Sequence, residues 1–263
     1  MKQVLYFLFL FIFLSSCSYR ETILRKAPDF LSDKIEDYLE LDEAQEEELR
    51  SQVTSSFFEH HKEVIILRKI LADYDITKDS LRKQVVKGYP PYSRVLKDVN
   101  AISIEVLSKL DSKQRKELVE KQKKANEKRE TDLKSYKKRG IERLSRLFGE
   151  LTPKQDILVE KLVVDYLKKK ENLKASSAWR KKFVETLKID DQIAYQVALK
   201  RNFSDVENLK QVLKDNEYFF KFFDEFQKTL TSKQVEKFNK KKQEVLAWID
   251  LYLKIYKTPT NHT

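Results

Sequence analysis

The chain has 263 residues, 36% of them charged, with only 3 Gly, 5 Pro and 1 Cys. That excludes collagen-like, Pro/Gly-rich disordered and disulfide-stapled classes, while a 41% apolar share with 16 Phe and 12 Tyr is enough to bury a core. The formal net charge of +11 favours anionic surfaces or acidic clients and carries no information about fold.

Met1-Lys2-Gln3 is a short cationic start, and Val4 to Leu14 is an unbroken run of 11 apolar residues. A spanning helix needs about 20 apolar residues, whereas about 7 to 15 is the length of a signal-peptide hydrophobic segment. Leu14-Ser15-Ser16-Cys17 follows and resembles the lipobox of bacterial lipoproteins: an aliphatic residue, two small ones and the cysteine that takes the lipid. The resemblance implies a signal peptide over residues 1–16 and an acylated Cys17, with palmitate among its chains, as the membrane anchor. Lipidation would consume the one thiol, so helix packing rather than a disulfide must stabilise the mature chain. By the same resemblance to Gram-negative lipoproteins, Ser18 rather than Asp after the cysteine implies sorting to the outer membrane, anchored by lipid and facing the periplasm.

Residues 17–27 read as a tether, and a first helix is expected from Pro28 to Leu39. Leu49, Val53, Phe57, His60, Val64, Leu67 and Leu71 keep a helical spacing, which predicts one seam ending near Asp75. Thr77 to Lys87 suits a brief helix, Gly88-Tyr89-Pro90-Pro91 reads as the clearest break in the chain, and Ser93 to Lys109 as the next helix. From Lys113 to Arg146 there are 14 Lys or Arg against 6 Asp or Glu, so a long basic helix over 111–148 is expected to be largely solvated. In the last third, Trp179, Phe183 and Leu187 share a face, Ser204 to Glu207 reads as a capping box, and aromatic residues crowd 218–226. A final seam runs through Val235, Phe238, Val245, Ile249, Leu253 and Tyr256, and no strand or hairpin signal appears.

One pattern recurs at four helix starts: Leu41-Asp42-Glu43-Ala44-Gln45, Leu110-Asp111-Ser112-Lys113-Gln114, Leu151-Thr152-Pro153-Lys154-Gln155 and Leu230-Thr231-Ser232-Lys233-Gln234. Asp or Thr at the N-cap can accept from the N3 amide while Gln at N3 reaches back to the N-cap amide, which is a reciprocal capping box. Pro153 falls at N1, where a missing N–H costs nothing. Spacings of 69, 41 and 79 residues exclude a fixed-period solenoid. On capping chemistry alone, Thr152→Ala should cost about 1 kcal/mol and Gln155→Ala somewhat less.

These motifs are similar to the Leu-Thr-x-x-Gln motif of the Spy and CpxP type of periplasmic chaperones, which are all-helical, cradle-shaped and basic on the concave face. The overall layout resembles a family of uncharacterised Gram-negative lipoproteins that carry a domain of unknown function. The stretches that match are Cys17 to Gln45, including Asp37-Tyr38-Leu39, and Lys138-Arg139-Gly140-Ile141-Glu142-Arg143-Leu144 through Gly149-Glu150-Leu151-Thr152-Pro153-Lys154-Gln155. Where that family shows a Trp-His-Arg-like stretch, this chain has Phe57-Phe58-Glu59-His60-His61-Lys62.

The expected fold is therefore all-α, with long amphipathic helices in an extended or cradle-like bundle and no sheet. Its expected organisation is a signal peptide (1–16), a lipidated tether (17–27), an N-terminal helical region (28–110), the basic helix (111–148), a C-terminal helical region (149–258) and a tail (259–263). Glu59-His60-His61 with Glu63 lacks the second Glu-x-x-His of a di-iron bundle and the spacing of a zinc helix, and no nucleophile elbow or phosphate loop is present. No catalytic residue, metal or cofactor is expected, nor nucleic acid as a partner. The expected role is non-enzymatic binding, chaperone-like toward unfolded or acidic periplasmic or outer-membrane clients, with Lys123, Lys124, Lys128 and Arg129 as the anion-facing patch. The alternative is a structural tether that binds anionic lipid headgroups or cell-wall polymers. Leu151, Thr152, Gln155, Leu230, Thr231 and Gln234 are the helix-cap motif residues singled out.

Overall fold

The computed structural model describes residues 20–127, 133–172, 174–204 and 209–257. Among these there are thirteen helices and no strand, so the protein is an all-α bundle. The first half comprises α1 (Arg20–Arg25), α2 (Ala27–Leu39), α3 (Glu43–Glu59), α4 (His61–Asp73), α5 (Leu81–Ser108) and α6 (Ser112–Glu127). The second comprises α7 (Leu133–Phe148), α8 (Pro153–Asn172), α9 (Lys174–Leu187), α10 (Gln192–Ser204), α11 (Leu209–Asp215), α12 (Glu217–Gln227) and α13 (Ser232–Ile255). No helix of the described residues is long and apolar enough to cross a membrane.

Four expectations are corrected here. Residues 20–25 are not tether: they form α1, and Leu24 is buried against Trp248, Tyr252 and Tyr256 of α13, whose Tyr256 hydroxyl donates to the Leu24 carbonyl. The seam from Leu49 to Leu71 is two helices, because the chain leaves helical geometry at His60 (φ −89°, ψ 13°). Gly88-Tyr89-Pro90-Pro91 is not a break but lies inside the 28-residue α5. The two prolines each delete a backbone donor, yet α5 is packed by α3, α4, α10, α11 and α12. Tertiary packing overrides the local signal. The basic stretch is likewise not solvated throughout: Gln114, Arg115, Leu118 and Val119 of α6 are buried, with the Arg115 guanidinium carbon 4.4 Å from the Tyr195 ring centroid. The α6 and α7 helices pack in different halves of the molecule. The residues that would join them, like Glu207 of the proposed Ser204–Glu207 cap, lie outside the described residues.

Three apolar clusters hold the helices. The first gathers α2, α3, α5 and α6 around Leu49, Leu110 and Leu118, and receives Phe183 and Leu187 of α9 and Tyr195 and Leu199 of α10. The second gathers α7, α8, α12 and α13 around Phe148, Val159 and Phe226. Into it dock Tyr74 and Ile76 from the α4–α5 connection, which is tied down by Lys242, donating to the Tyr74 carbonyl, and by Gln227, donating to the Ile76 carbonyl. The third is the α1–α13 contact, with Phe57 and Phe58 against its edge. Most of the aromatic run of α12 belongs to the second cluster, with Phe222, Phe223 and Phe226 buried in it and Phe219 packed against it; Phe220 is buried as well. On α13 the buried side chains are Gln234, Leu246, Trp248 and Tyr252; of the expected seam, Val235 and Phe238 pack on the second cluster and Leu253 and Tyr256 on the third, while Leu246 and Trp248 are buried in place of the expected Val245 and Ile249.

Two helical glycines test this packing with opposite signs. A Cβ at Gly140 would lie 3.0 Å from Val159 Cγ1, a fully buried side chain in the second cluster, whereas a Cβ at Gly88 would meet only Leu67 Cδ2 at 3.5 Å, an ordinary contact. Alanine is favoured over glycine in a helix by about 1 kcal/mol. Gly88→Ala is therefore expected to stabilise by up to about 1 kcal/mol, and Gly140→Ala to lower the urea midpoint in spite of the same propensity gain.

Candidate functional site: two glutamine pairs at the helix ends

The four repeated helix starts meet in two pairs. At α3 and α6, Asp42 Oδ1 accepts from the Gln45 amide (2.9 Å) and Gln45 Oε1 from the Asp42 amide (3.0 Å), and the same box forms between Asp111 and Gln114 (2.8 and 2.9 Å). At α8 and α13, Thr152 with Gln155 and Thr231 with Gln234 do likewise, the hydroxyls accepting at 3.4 and 3.3 Å. So far this is capping, as expected.

Each glutamine also has a carboxamide N–H₂ to place. Gln155 Nε2 donates to Gln234 Oε1 and Gln234 Nε2 to Gln155 Oε1, both at 2.9 Å, while the remaining N–H groups reach the carbonyls of Thr229 (3.1 Å) and Glu150 (2.9 Å). In the first half Gln114 Nε2 donates to Gln45 Oε1 (2.8 Å) and to the Glu40 carbonyl (2.7 Å); Gln45 Nε2 donates to the Lys109 carbonyl (2.9 Å) and faces Gln114 Oε1 at 3.4 Å. A carboxamide has two donor hydrogens and two acceptor lone pairs, and all four are used. Each glutamine caps the start of its own helix and the end of the helix before its partner. This settles orphan amides and orphan carbonyls together, in a place where Gln155 is fully buried and Gln234 is 4% exposed.

The halves are thereby variants of one unit. A helix ends, a glutamine-capped helix begins, a later helix ends beside it and a second capped helix begins: α2–α3 with α5–α6, and α7–α8 with α12–α13. The turns out of α2 and α7 each use a left-handed residue, Glu40 (φ 55°) and Gly149 (φ 89°), one position out of register with each other. Leu41 and Leu110 are buried beside the first pair, and Leu151 and Leu230 pack at the edge of the second cluster.

The anion-facing patch is only partly described. Lys123 and Lys124 are exposed on α6, Lys123 within 2.5 Å of Glu120, and Lys128 and Arg129 lie outside the described residues, as does Cys17. His60 is 6% exposed, with Nε2 3.3 Å from Asp98 Oδ2 and Nδ1 4.0 Å from Glu63 Oε2, and His61 Nε2 is 3.2 Å from the Leu253 carbonyl. Among the described residues, no group of three or more His, Cys, Asp or Glu side chains could hold a metal ion. Burial pushes the Glu36 carboxyl up, while the largest shifts run away from neutrality. Hydrogen bonds from Thr77 hold Asp75 down to about 2, and burial pushes Tyr195 and Tyr256 up to about 12 and Tyr74, Tyr218 and Tyr252 further. These groups keep one protonation state across neutral pH.

Compared with protein-family models, curated proteins and solved structures, the chain matches none of them.

The carboxamide pair reverses the expectation that Gln155 matters less than Thr152. Removing the Thr152 hydroxyl loses one long capping bond, about 1 kcal/mol, whereas Gln155→Ala leaves the Gln234 amide and the Thr229 carbonyl buried with partners missing, about 2–3 kcal/mol. Urea unfolding of Thr152→Ala, Gln155→Ala, Gln234→Ala and the double glutamine variant checks this. The two glutamine losses are expected to be markedly less than additive, since either one alone already breaks the pair.

Proposed function

We propose that the chain is an outer-membrane lipoprotein of the Gram-negative envelope, anchored through Cys17 and facing the periplasm, that binds clients without transforming them. The lipobox-like Leu14-Ser15-Ser16-Cys17 after an 11-residue apolar run supports the anchor. The binding role rests on one observation: α10 holds Ile193 and Val197 outward at 74% and 63% exposure, one turn apart, on a helix whose other side is fixed in the first cluster by Tyr195 and Leu199. Aliphatic side chains held out on a rigid, packed element, in a chain of net charge +11, suit brief contacts with unfolded acidic segments. Association would be fast, weak and salt-sensitive, which is a chaperone-like mode of binding. In this reading the apolar contacts come from exposed aliphatic residues, because the α12 aromatics belong to the core. The second reading, a tether for anionic headgroups or cell-wall polymers, draws on the exposed Lys123 and Lys124.

Two measurements test the proposal. Cys17→Ser is expected to move the protein from the membrane fraction to soluble or unprocessed forms; normal acylation or cleavage of that variant would show the anchor assignment to be wrong. The chain is expected to suppress aggregation of a denatured acidic client at low salt and to lose most of that effect in Ile193→Ser/Val197→Ser. If suppression is unchanged in that variant but falls when Lys123, Lys124, Lys128 and Arg129 are all Gln, the basic patch carries binding instead. Retention on isolated cell-wall polymer with no suppression would favour the tether.

A further inference from the structure

The α1 and α2 helices run almost without interruption. Lys26 donates its amide to the Thr22 carbonyl (3.1 Å), and the Lys26 carbonyl accepts from Phe30 (2.9 Å), so helical bonding crosses the junction. Leu24, Pro28, Ser32 and Leu39 form the buried face of this pair, with Ile35 against the first cluster. At 100° per residue, Phe30, Leu31, Lys34 and Tyr38 fall together on a neighbouring face. There Phe30 is 63% exposed, Leu31 44% and Tyr38 41%. Cations flank these apolar side chains. Lys34 Nζ is 5.7 Å from the Phe30 ring centroid and Lys121 Nζ 5.8 Å from that of Tyr38, Lys121 donating to the Tyr38 carbonyl at 2.9 Å. Of the acidic side chains here, Asp29, Asp33 and Glu36 turn the other way, toward Arg50 of α3 at 3.5, 3.0 and 3.0 Å, whereas Asp37 lies 3.9 Å from Lys34 and Glu40 2.5 Å from Lys121, so each lysine of the face also has a carboxylate partner.

Resting on the lipid anchor proposed above, we infer that this face of α2 lies against the bilayer that holds the acyl chains of Cys17. Only Ser18 and Tyr19 separate Cys17 from Arg20, and three residue steps span at most about 11 Å of chain. The anchored body therefore has no long leash, and α1 is fixed to it by Leu24 in the third cluster. Whatever surface adjoins α1 is pressed toward the headgroups. That surface carries Arg25 and Lys26 on α1 and its junction, with Lys254 and Lys257 at the end of α13; Arg20 instead lies over the Trp248 ring, 5.3 Å from its centroid, and Glu21 is paired with Arg25 at 2.7 Å. Basic residues beside a lipid anchor are attracted to anionic headgroups, and Phe and Tyr flanked by Lys are the side chains that settle at the boundary between headgroups and acyl chains. The occupant of the face is thus the membrane itself.

The test uses the full acylated protein in phosphatidylethanolamine–phosphatidylglycerol vesicles, with a nitroxide placed through Phe30→Cys or Tyr38→Cys and, as references, Ile157→Cys and Ile193→Cys. Mass spectrometry of the same samples reports acylation at Cys17. The ratio of oxygen to nickel-complex collisions is expected to be several-fold higher at 30 and 38 than at 157 and 193. Acylated protein with all four positions equally open to the nickel complex would overturn the membrane contact and leave the anchor standing; protein with no acyl mass would remove both. Protection of 30 and 38 in native envelopes but not in protein-free vesicles would mean that a protein covers the face, and would overturn the lipid assignment.

Discussion

Helix ends are the difficult part of an all-α fold, because each leaves unpaired backbone groups that must find partners if they are buried. Here the problem is solved in two places by a pair of primary amides. Each pair joins two helix stops and two helix starts, so eight helix ends depend on four glutamine side chains. Only an amide can do this. Glutamate at N3 could close the capping box equally well, but a carboxylate has no hydrogen to give to the partner glutamine or to the carbonyl beyond it. In the low dielectric around Gln155 these bonds strengthen, and so does the penalty for losing one.

The two units built on these pairs are not separate bodies. The α9–α10 hairpin, encoded in the second half, completes the apolar cluster of the first: the Tyr195 hydroxyl donates to the Leu107 carbonyl (2.6 Å) and Gln192 Nε2 to the Ser108 carbonyl (2.8 Å), at the end of α5 beside the first glutamine pair. In return Tyr74 and Ile76, from the first half, fill the second cluster. The α13 helix begins in the second pair and ends against α1, and its 24 residues make it a strut of about 36 Å at 1.5 Å per residue. Arg68 of α4 meets Asp250 along this strut and lowers its carboxyl pKa, a further tie between halves.

Much of this was legible in the residues. Helical periodicity and the scarcity of Gly and Pro gave the all-α class, and the capping boxes located the starts of α3, α6, α8 and α13 to the residue. The pairing was not read, although a signal for it existed: all four boxes carry Gln at N3, whereas α10, which starts on an Asp191 N-cap alone, has Ala194 there. A preference for the amide over glutamate at every copy marks a donor requirement that capping does not impose. Other features depend on contacts distant in sequence. Pro90 and Pro91 read as a break because proline removes a local bond, but α5 is continuous and packed by α3, α4, α10, α11 and α12. The basic stretch misled in a similar way, since Leu118 and Val119 are too few to signal burial and are nonetheless buried, beneath α9 and α10.

A lipoprotein on a long leash samples the periplasm with every face, but a body held within three residues of its lipid does not. If Cys17 is acylated, the bilayer takes the surface around α1 and α2, and binding must use the faces turned away from it. That division fits the distribution of exposed apolar side chains. Phe30, Leu31 and Tyr38 are flanked by Lys34 and Lys121 beside the α1–α2 junction, whereas Ile193 and Val197 stand on α10, a helix of the first cluster. An aliphatic pair next to the membrane would be lost into lipid; a pair on α10 stays in water, where the cost of exposing it can be recovered only by a client.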